Sequence, residues 1–242
     1  MNLKSLSMLT VCAIAVAAPA QAATFSLNAH NVATPNCLGQ TTCTVNNFFT
    51  LTATGGKIDK KVNPMIGIGV NDGNPNHISG EIEVGEALDI NFAKKGVLTS
   101  LHLNLLYPKD VHDNGNPMKQ AYGDRIFEVA IVSDTDQLHE GTLKITDDHT
   151  AVWSFVGGGQ VINHAQSVTG KGGWYEIINP FGGAKIRGIT LKPHDNPQVG
   201  GKGDSDFAFY AATVAVPEPT TLIGLGAIGL AIAGRRRATR AD

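Results

Sequence analysis

Between residues 23 and 216, apolar residues either alternate with polar ones or run in short stretches rich in β-branched and aromatic side chains. NFFTLTAT from Asn47, residues 65–70, EALDINF from Glu86 and VLTSLHLNLLY from Val97 have this form. RIFEVAIVS from Arg125, GTLKIT from Gly141, AVWSFV from Ala151, WYEII from Trp174, AKIRGITLK from Ala184 and DFAFYAATV from Asp206 repeat it. Turn-forming clusters separate them: DGNPN, DNGNP, VGGGQ, TGKGG, NPFGG and DNPQVGGKGDSD. No stretch keeps a helical period with caps. The period of two puts Leu101, Leu103 and Leu105 on one face, and His102 and Asn104 on the other. Phe207 and Phe209 likewise alternate with Ala208 and Tyr210. Roughly nine to eleven short strands in one domain predict an all-β fold, a two-sheet antiparallel sandwich of jelly-roll type, with a closed barrel as the alternative. There is no internal repeat of the kind that builds solenoids or propellers.

The ends depart from this pattern. Residues 1–22 carry Lys4, an apolar run and the small-residue site Ala20-Gln21-Ala22, which is the layout of a secretory signal peptide and predicts an N-terminal signal helix. At the other end stand Pro217-Glu218-Pro219, an apolar run over residues 221–234 and the cluster Arg235-Arg236-Arg237. The run predicts a short hydrophobic helix. It is shorter than the ~20 apolar residues of an ordinary membrane span, and the arginines would hold its end on the cytoplasmic side. The domain boundaries follow as residues 1–22, 23–216 and 217–242.

This tail resembles a PEP-CTERM sorting signal, the Pro-Glu-Pro, hydrophobic helix and basic cluster processed by exosortases in Gram-negative bacteria. The resemblance implies that Pro217, Glu218 and Pro219 are the recognition motif. It also implies export with signal peptidase and exosortase as partners, membrane attachment through the tail before processing, and release or anchoring at the outer surface. GIGVNDGNPNHISGEIEVGEALDINF is similar to a segment of exported β-sandwich proteins with such tails, through Gly67, Gly69, Val70, Glu81, Ile82, Glu83, Glu86 and Leu88. That second likeness bears on fold and export, not on activity.

Charge and cysteine content narrow the picture further. The whole chain has a formal net charge of −2, but residues 23–216 hold 14 Lys and Arg against 19 Asp and Glu, a net −5. A mildly acidic body without a basic stripe lacks what phosphate neutralisation requires, so nucleic acid is not an expected partner. Cys37 and Cys43 are the only cysteines of this body. In an exported chain their expected role is a structural disulfide closing a short loop.

Candidate chemistry is sparse. Asp72, Asn74, Asn76 and Glu83 follow the spacing of a calcium loop, but His77 stands where the sharp turn needs glycine, and both flanks read as strands. An EF-hand is therefore not expected. Calcium held by Glu81, Glu83 and Glu86 with Asp204 and Asp206 is a possible use of these oxygens; solvated acids around a turn are the simpler reading. The loop over residues 112–117 and the pair Asp147-Asp148 have ordinary turn composition. The eight histidines form no recognised metal spacing, and there is no G-x-S-x-G. Trp174 and Tyr175, beside a glycine pair, are candidates for stacking on a sugar ring, against the alternative that Trp174 is buried. Trp153 reads as core. The resulting expectation is a non-enzymatic exported surface or matrix protein associated with extracellular polysaccharide. A calcium-stabilised hydrolase acting on such a polymer is the alternative.

Overall fold

In a computed structural model, the described residues are 22–34, 36–75, 77–108, 127–168, 171–194 and 205–218. The expected signal helix and C-terminal hydrophobic helix, Asn76, the 112–117 loop and Asp204 lie outside them. Ala23–Val216 is one compact unit. Its alternating pattern is realised as thirteen strands among the described residues. They are β1 (Ala23–Asn28), β2 (Thr42–Val45), β3 (Phe49–Thr54), β4 (Lys57–Lys61), β5 (Gly67–Asn71), β6 (Ala87–Leu106) and β7 (Val129–Asp134). There follow β8 (Glu140–Ile145), β9 (Ala151–Trp153), β10 (Gln160–Ala165), β11 (Gly173–Ile178), β12 (Lys185–Pro193) and β13 (Ala208–Val216). A single-turn helix, α1 (Ala29–Val32), follows β1, capped by the Asn28 side chain.

Every strand pairing is antiparallel, as the alternation predicts. The two-sheet division takes a different form in the hydrogen bonding, which joins all thirteen strands into one branched sheet through β6. The sequence suggested two strands over residues 86–107, but β6 is continuous for 20 residues. Its first half lies between β3 and β12, and its second half between β11 and β13. The changeover falls on Ala93, Lys94 and Lys95, all exposed. Here the β12 register jumps from Ile186 opposite Gly96 to Gly188 opposite Asn91. Extra residues in one strand bend it without ending it, so the polar interruption between the two expected strands is a bulge.

Both halves feed one core. Leu51, Leu88, Ile90, Ile189 and Leu191 come from the first, and Leu101, Leu103, Tyr175, Ile177, Phe209 and Val214 from the second. Phe25 stacks on Phe48, and Phe49 meets Phe92 edge to face. Trp153 is core, as expected: its indole N–H donates to the Pro180 carbonyl at 2.9 Å. A Cβ on Gly159 would fall 1.8 Å from that indole, which explains one member of the glycine run. The run reads as a turn, yet β10 begins immediately after it. Cys37 and Cys43 are joined in a disulfide, with Cα atoms 5.2 Å apart.

Candidate functional site

Two polar constellations stand out on this frame. The first gathers the acids expected to attract a cation. Ile82 bridges to Phe207, and Val70 bridges to Glu81, so the acidic segment is sewn between β5 and the residues leading into β13. That pairing brings one carboxylate oxygen each from Glu81, Glu83 and Asp206 within 4.8 Å of one another, and all three residues are buried. Gly69 is needed for the approach, since a Cβ there would lie 2.4 Å from the Glu81 backbone. Lys61 contributes the positive charge, its Nζ 2.8 Å from Glu81 Oε1, with both side chains withdrawn from solvent.

Glu86 belongs to a neighbouring group. Its carboxylate accepts from the Glu83 backbone N–H at 2.8 Å, and one of its oxygens lies near ligand atoms of Asp72 and His77. Burial, together with the charges of Glu83 and Asp72, pushes the Glu86 carboxyl up to about 7. His77 turns out to be the tie of the loop. Its Nδ1 meets Asp72 Oδ2 at 2.9 Å, and its Nε2 lies 3.2 Å from Asn74 Nδ2 and 3.8 Å from Glu83 Oε2. Asp72 Oδ1 accepts from the Asn74 N–H, closing an Asx turn. The flanks are strands β5 and β6. The residue that spoils the calcium-loop pattern is thus the one that holds this loop together.

The second constellation lies on the outward face of β10, β11, β6 and β13. The register sets Glu176 beside His102, and His102 beside Ala211. Two irregularities add a residue each: β10 shifts between Asn163 and Ala165, and β13 shifts between Phe209 and Ala211. The residues thereby inserted are His164 and Tyr210. Bulges of this kind re-aim side chains, and here both reach the same indole. Trp174 lies 4.6 Å from the His164 ring and 5.0 Å from the Tyr210 ring, centroid to centroid. His102 lies 6.0 Å away.

Hydrogen bonds join the polar members. Ser100 Oγ donates to Glu176 Oε1 at 2.8 Å and lies 3.0 Å from His102 Nε2. His164 Nε2 contacts Glu176 Oε2 at 2.9 Å, while the Trp174 indole donates to His102 Nδ1 at 3.3 Å. Burial holds the His102 ring below the ordinary histidine range, outweighing the pull of Glu176. Burial works to raise the Glu176 carboxyl, but the bonds from Ser100 and His164 and the nearby histidines outweigh it and hold it low. Ser100, His102 and Glu176 do not form a hydrolase triad. Such a triad needs the acid on Nδ1 and the serine on Nε2, whereas here Nδ1 faces an indole and the carboxylate is on the serine's side.

Of the two aromatics singled out in the sequence, Trp174 is half-buried on this face. Tyr175 points the other way and is fully buried in the core, so it is not a surface platform. The reason is the strand period: neighbours in β11 point to opposite faces. His102, His164, Glu176, Ser100 and Tyr210 have no sequence motif, because strand pairing over separations of up to 110 residues assembles them. Pro217 and Glu218 are exposed, and Pro219 with Arg235, Arg236 and Arg237 lies outside the described residues. Among the described residues no helix is long and apolar enough to cross a membrane.

Residues 215–237 match the family model of the PEP-CTERM protein-sorting motif. The match spans Pro217, Glu218 and Pro219 together with the three arginines. The chain therefore carries the signal of an exported protein sorted by an exosortase. No curated protein and no solved structure matches the chain.

Proposed function

We propose that the body is a non-enzymatic surface or extracellular-matrix module of a Gram-negative bacterium, one that binds extracellular polysaccharide on the face around Trp174. The observation that carries this reading is the half-buried indole framed by His164, Tyr210, His102, Glu176 and Ser100. A sugar ring offers an apolar C–H face and a rim of hydroxyls. An aromatic side chain takes the first, and carboxylate, imidazole and hydroxyl groups take the second. Support also comes from the sorting motif, which delivers the body to the cell surface, where such polymers lie. The acidic corner enters as structure: Lys61 offsets the charge of Glu81 from within the protein.

A glycan array and a pull-down on the producer's own exopolysaccharide test the reading, with Trp174→Ala as the paired control. Retention of the wild type and its loss in the variant support it. Failure of the wild type to be retained in either assay would remove it. Changing Pro217, Glu218 and Pro219 to alanine tests the address separately, since the tail should then remain unprocessed in a strain that has the exosortase.

A further inference from the structure

We propose that His102, His164 and Glu176 form a binding site for a divalent first-row transition ion, zinc or copper, on the outward face of the sheet. The three donors come from the hydrogen-bonded strands β6, β10 and β11, and one ligand atom from each lies within 4.8 Å of the others. His164 Nε2 is 2.9 Å from Glu176 Oε2, and His102 Nε2 is 3.5 Å from Glu176 Oε1. Metal–ligand bonds of about 2.0–2.2 Å in a tetrahedral site separate the ligand atoms by roughly 3.3 Å. Both contacts are close to that spacing but end on different oxygens of the Glu176 carboxylate, so a small turn of the carboxylate would bring one oxygen to both rings. The imidazole centroids are 5.6 Å apart. Two rings radiating from one ion through Nε2 would have centroids roughly 5–5.5 Å apart on the same bond lengths.

The ligand chemistry selects the ion. Two imidazoles and one carboxylate suit zinc or copper, whereas calcium and magnesium take oxygen donors. Ser100 supplies the outer support that metal carboxylates commonly have, through its 2.8 Å bond to Glu176. Three protein ligands leave one position open for water or an exogenous oxygen. That position would lie on the face that carries Trp174.

One local change accompanies loading. With Nδ1 of His102 accepting from the Trp174 indole at 3.3 Å, the neutral ring keeps its proton on Nε2. Coordination through Nε2 requires the other tautomer, so the proton moves to Nδ1 and the indole contact is given up. Trp174 is thereby a built-in reporter, and buried Trp153, on another strand, is its control.

The site shares His102, His164 and Glu176 with the proposed polysaccharide face, but the ion alone is the probe, so the two readings fail separately. Zn²⁺ titrated into the chelator-stripped mature protein should bind one per chain by calorimetry. His102→Ala, His164→Ala and Glu176→Gln should each weaken binding at least about tenfold, with unchanged melting of the metal-free protein. Ca²⁺ should produce no matching heat. In the wild type, a nitrogen–proton correlation spectrum should show the Trp174 indole signal and both histidine ring signals shifting on Zn²⁺ addition, with Trp153 unmoved. This second readout needs no variant. Equal Zn²⁺ affinity in the wild type and all three variants, or shifts confined to other histidines, would overturn the proposal.

Discussion

Trp174 and Tyr175 are adjacent in β11, yet the indole lies on the outward face against His164 while the phenol is completely enclosed by core. The two side chains therefore report on different properties, although they look alike in the sequence. The consequence is a clean separation by mutation. Trp174→Ala should abolish polysaccharide retention and move the melting temperature little. Tyr175→Ala should cost about 3–5 kcal/mol, the usual range for emptying a large aromatic site. The Tyr175 hydroxyl is buried without a hydrogen-bond partner among the described residues. Tyr175→Phe should therefore leave stability unchanged or slightly raised. Denaturant melts with a binding assay on the three variants check all of this, and loss of retention in Tyr175→Phe would contradict it.

That pair also shows how far the sequence could be read. Alternation identified most strands and the inward faces of β6, of β13 and of the residue leading into β13, because Leu101, Leu103, Phe209 and Phe207 obey a period that follows from the pleat. The same pattern could not reveal that the interruption at residues 93–96 is a bulge within one strand, since Lys and Gly serve turns and bulges equally well. β2 and β4 give little signal because they are only four and five residues long, and β10 because it is polar, as in QVINHA; β1 has the length and alternation of the others and is not among the expected strands. The grouping of Glu81, Glu83 and Asp206 was visible as acids near one another or near a strand start. The His102–His164–Glu176 group was not, because it depends on register and on two bulges rather than on local spacing.

Glu86 gives a pH prediction with a definite sign. Its folded carboxyl is raised to about 7, above the ordinary value of 4.5, mainly by burial. Between those values the folded protein holds a proton that the unfolded chain releases. Stability should therefore fall as pH rises from about 4.5 to 7, and the penalty is fully present above 7. Glu86→Gln keeps an oxygen to accept from the Glu83 N–H but cannot ionise. The variant should melt higher than the wild type at pH 8 and match it at pH 4.5. Melting curves across that range check the prediction, and parallel curves for the two proteins would contradict it.

The disulfide between Cys37 and Cys43 closes a loop of sequence separation 6. For so short a loop the chain-entropy model gives a stabilisation of about 2 kcal/mol. Replacing both cysteines by serine should lower stability by roughly that amount. The Trp174 face should keep its binding, because the bridge serves the loop before β2 and not β6, β10 or β11. Chemical denaturation of the double variant, with the retention assay alongside, measures both halves.

The buried pair of Lys61 and Glu81 carries the largest expected cost at a charged position. Lys61 is 8% exposed and Glu81 1%, with Nζ and Oε1 2.8 Å apart. Glu83 and Asp206 stand close by, so the lysine offsets repulsion among three carboxylates as well as pairing with one. Lys61→Met preserves the length of the aliphatic stem but removes the charge, leaving Glu81 buried beside two other acids. Breaking one side of a buried ion pair costs about 3–5 kcal/mol, largely because the remaining charge cannot regain water. Adding Glu81→Gln should recover much of that loss, since the orphaned charge disappears with it. A double-mutant cycle on Lys61→Met and Glu81→Gln measures the coupling. Additive losses would mean that the pair is not the unit that neutralises this corner.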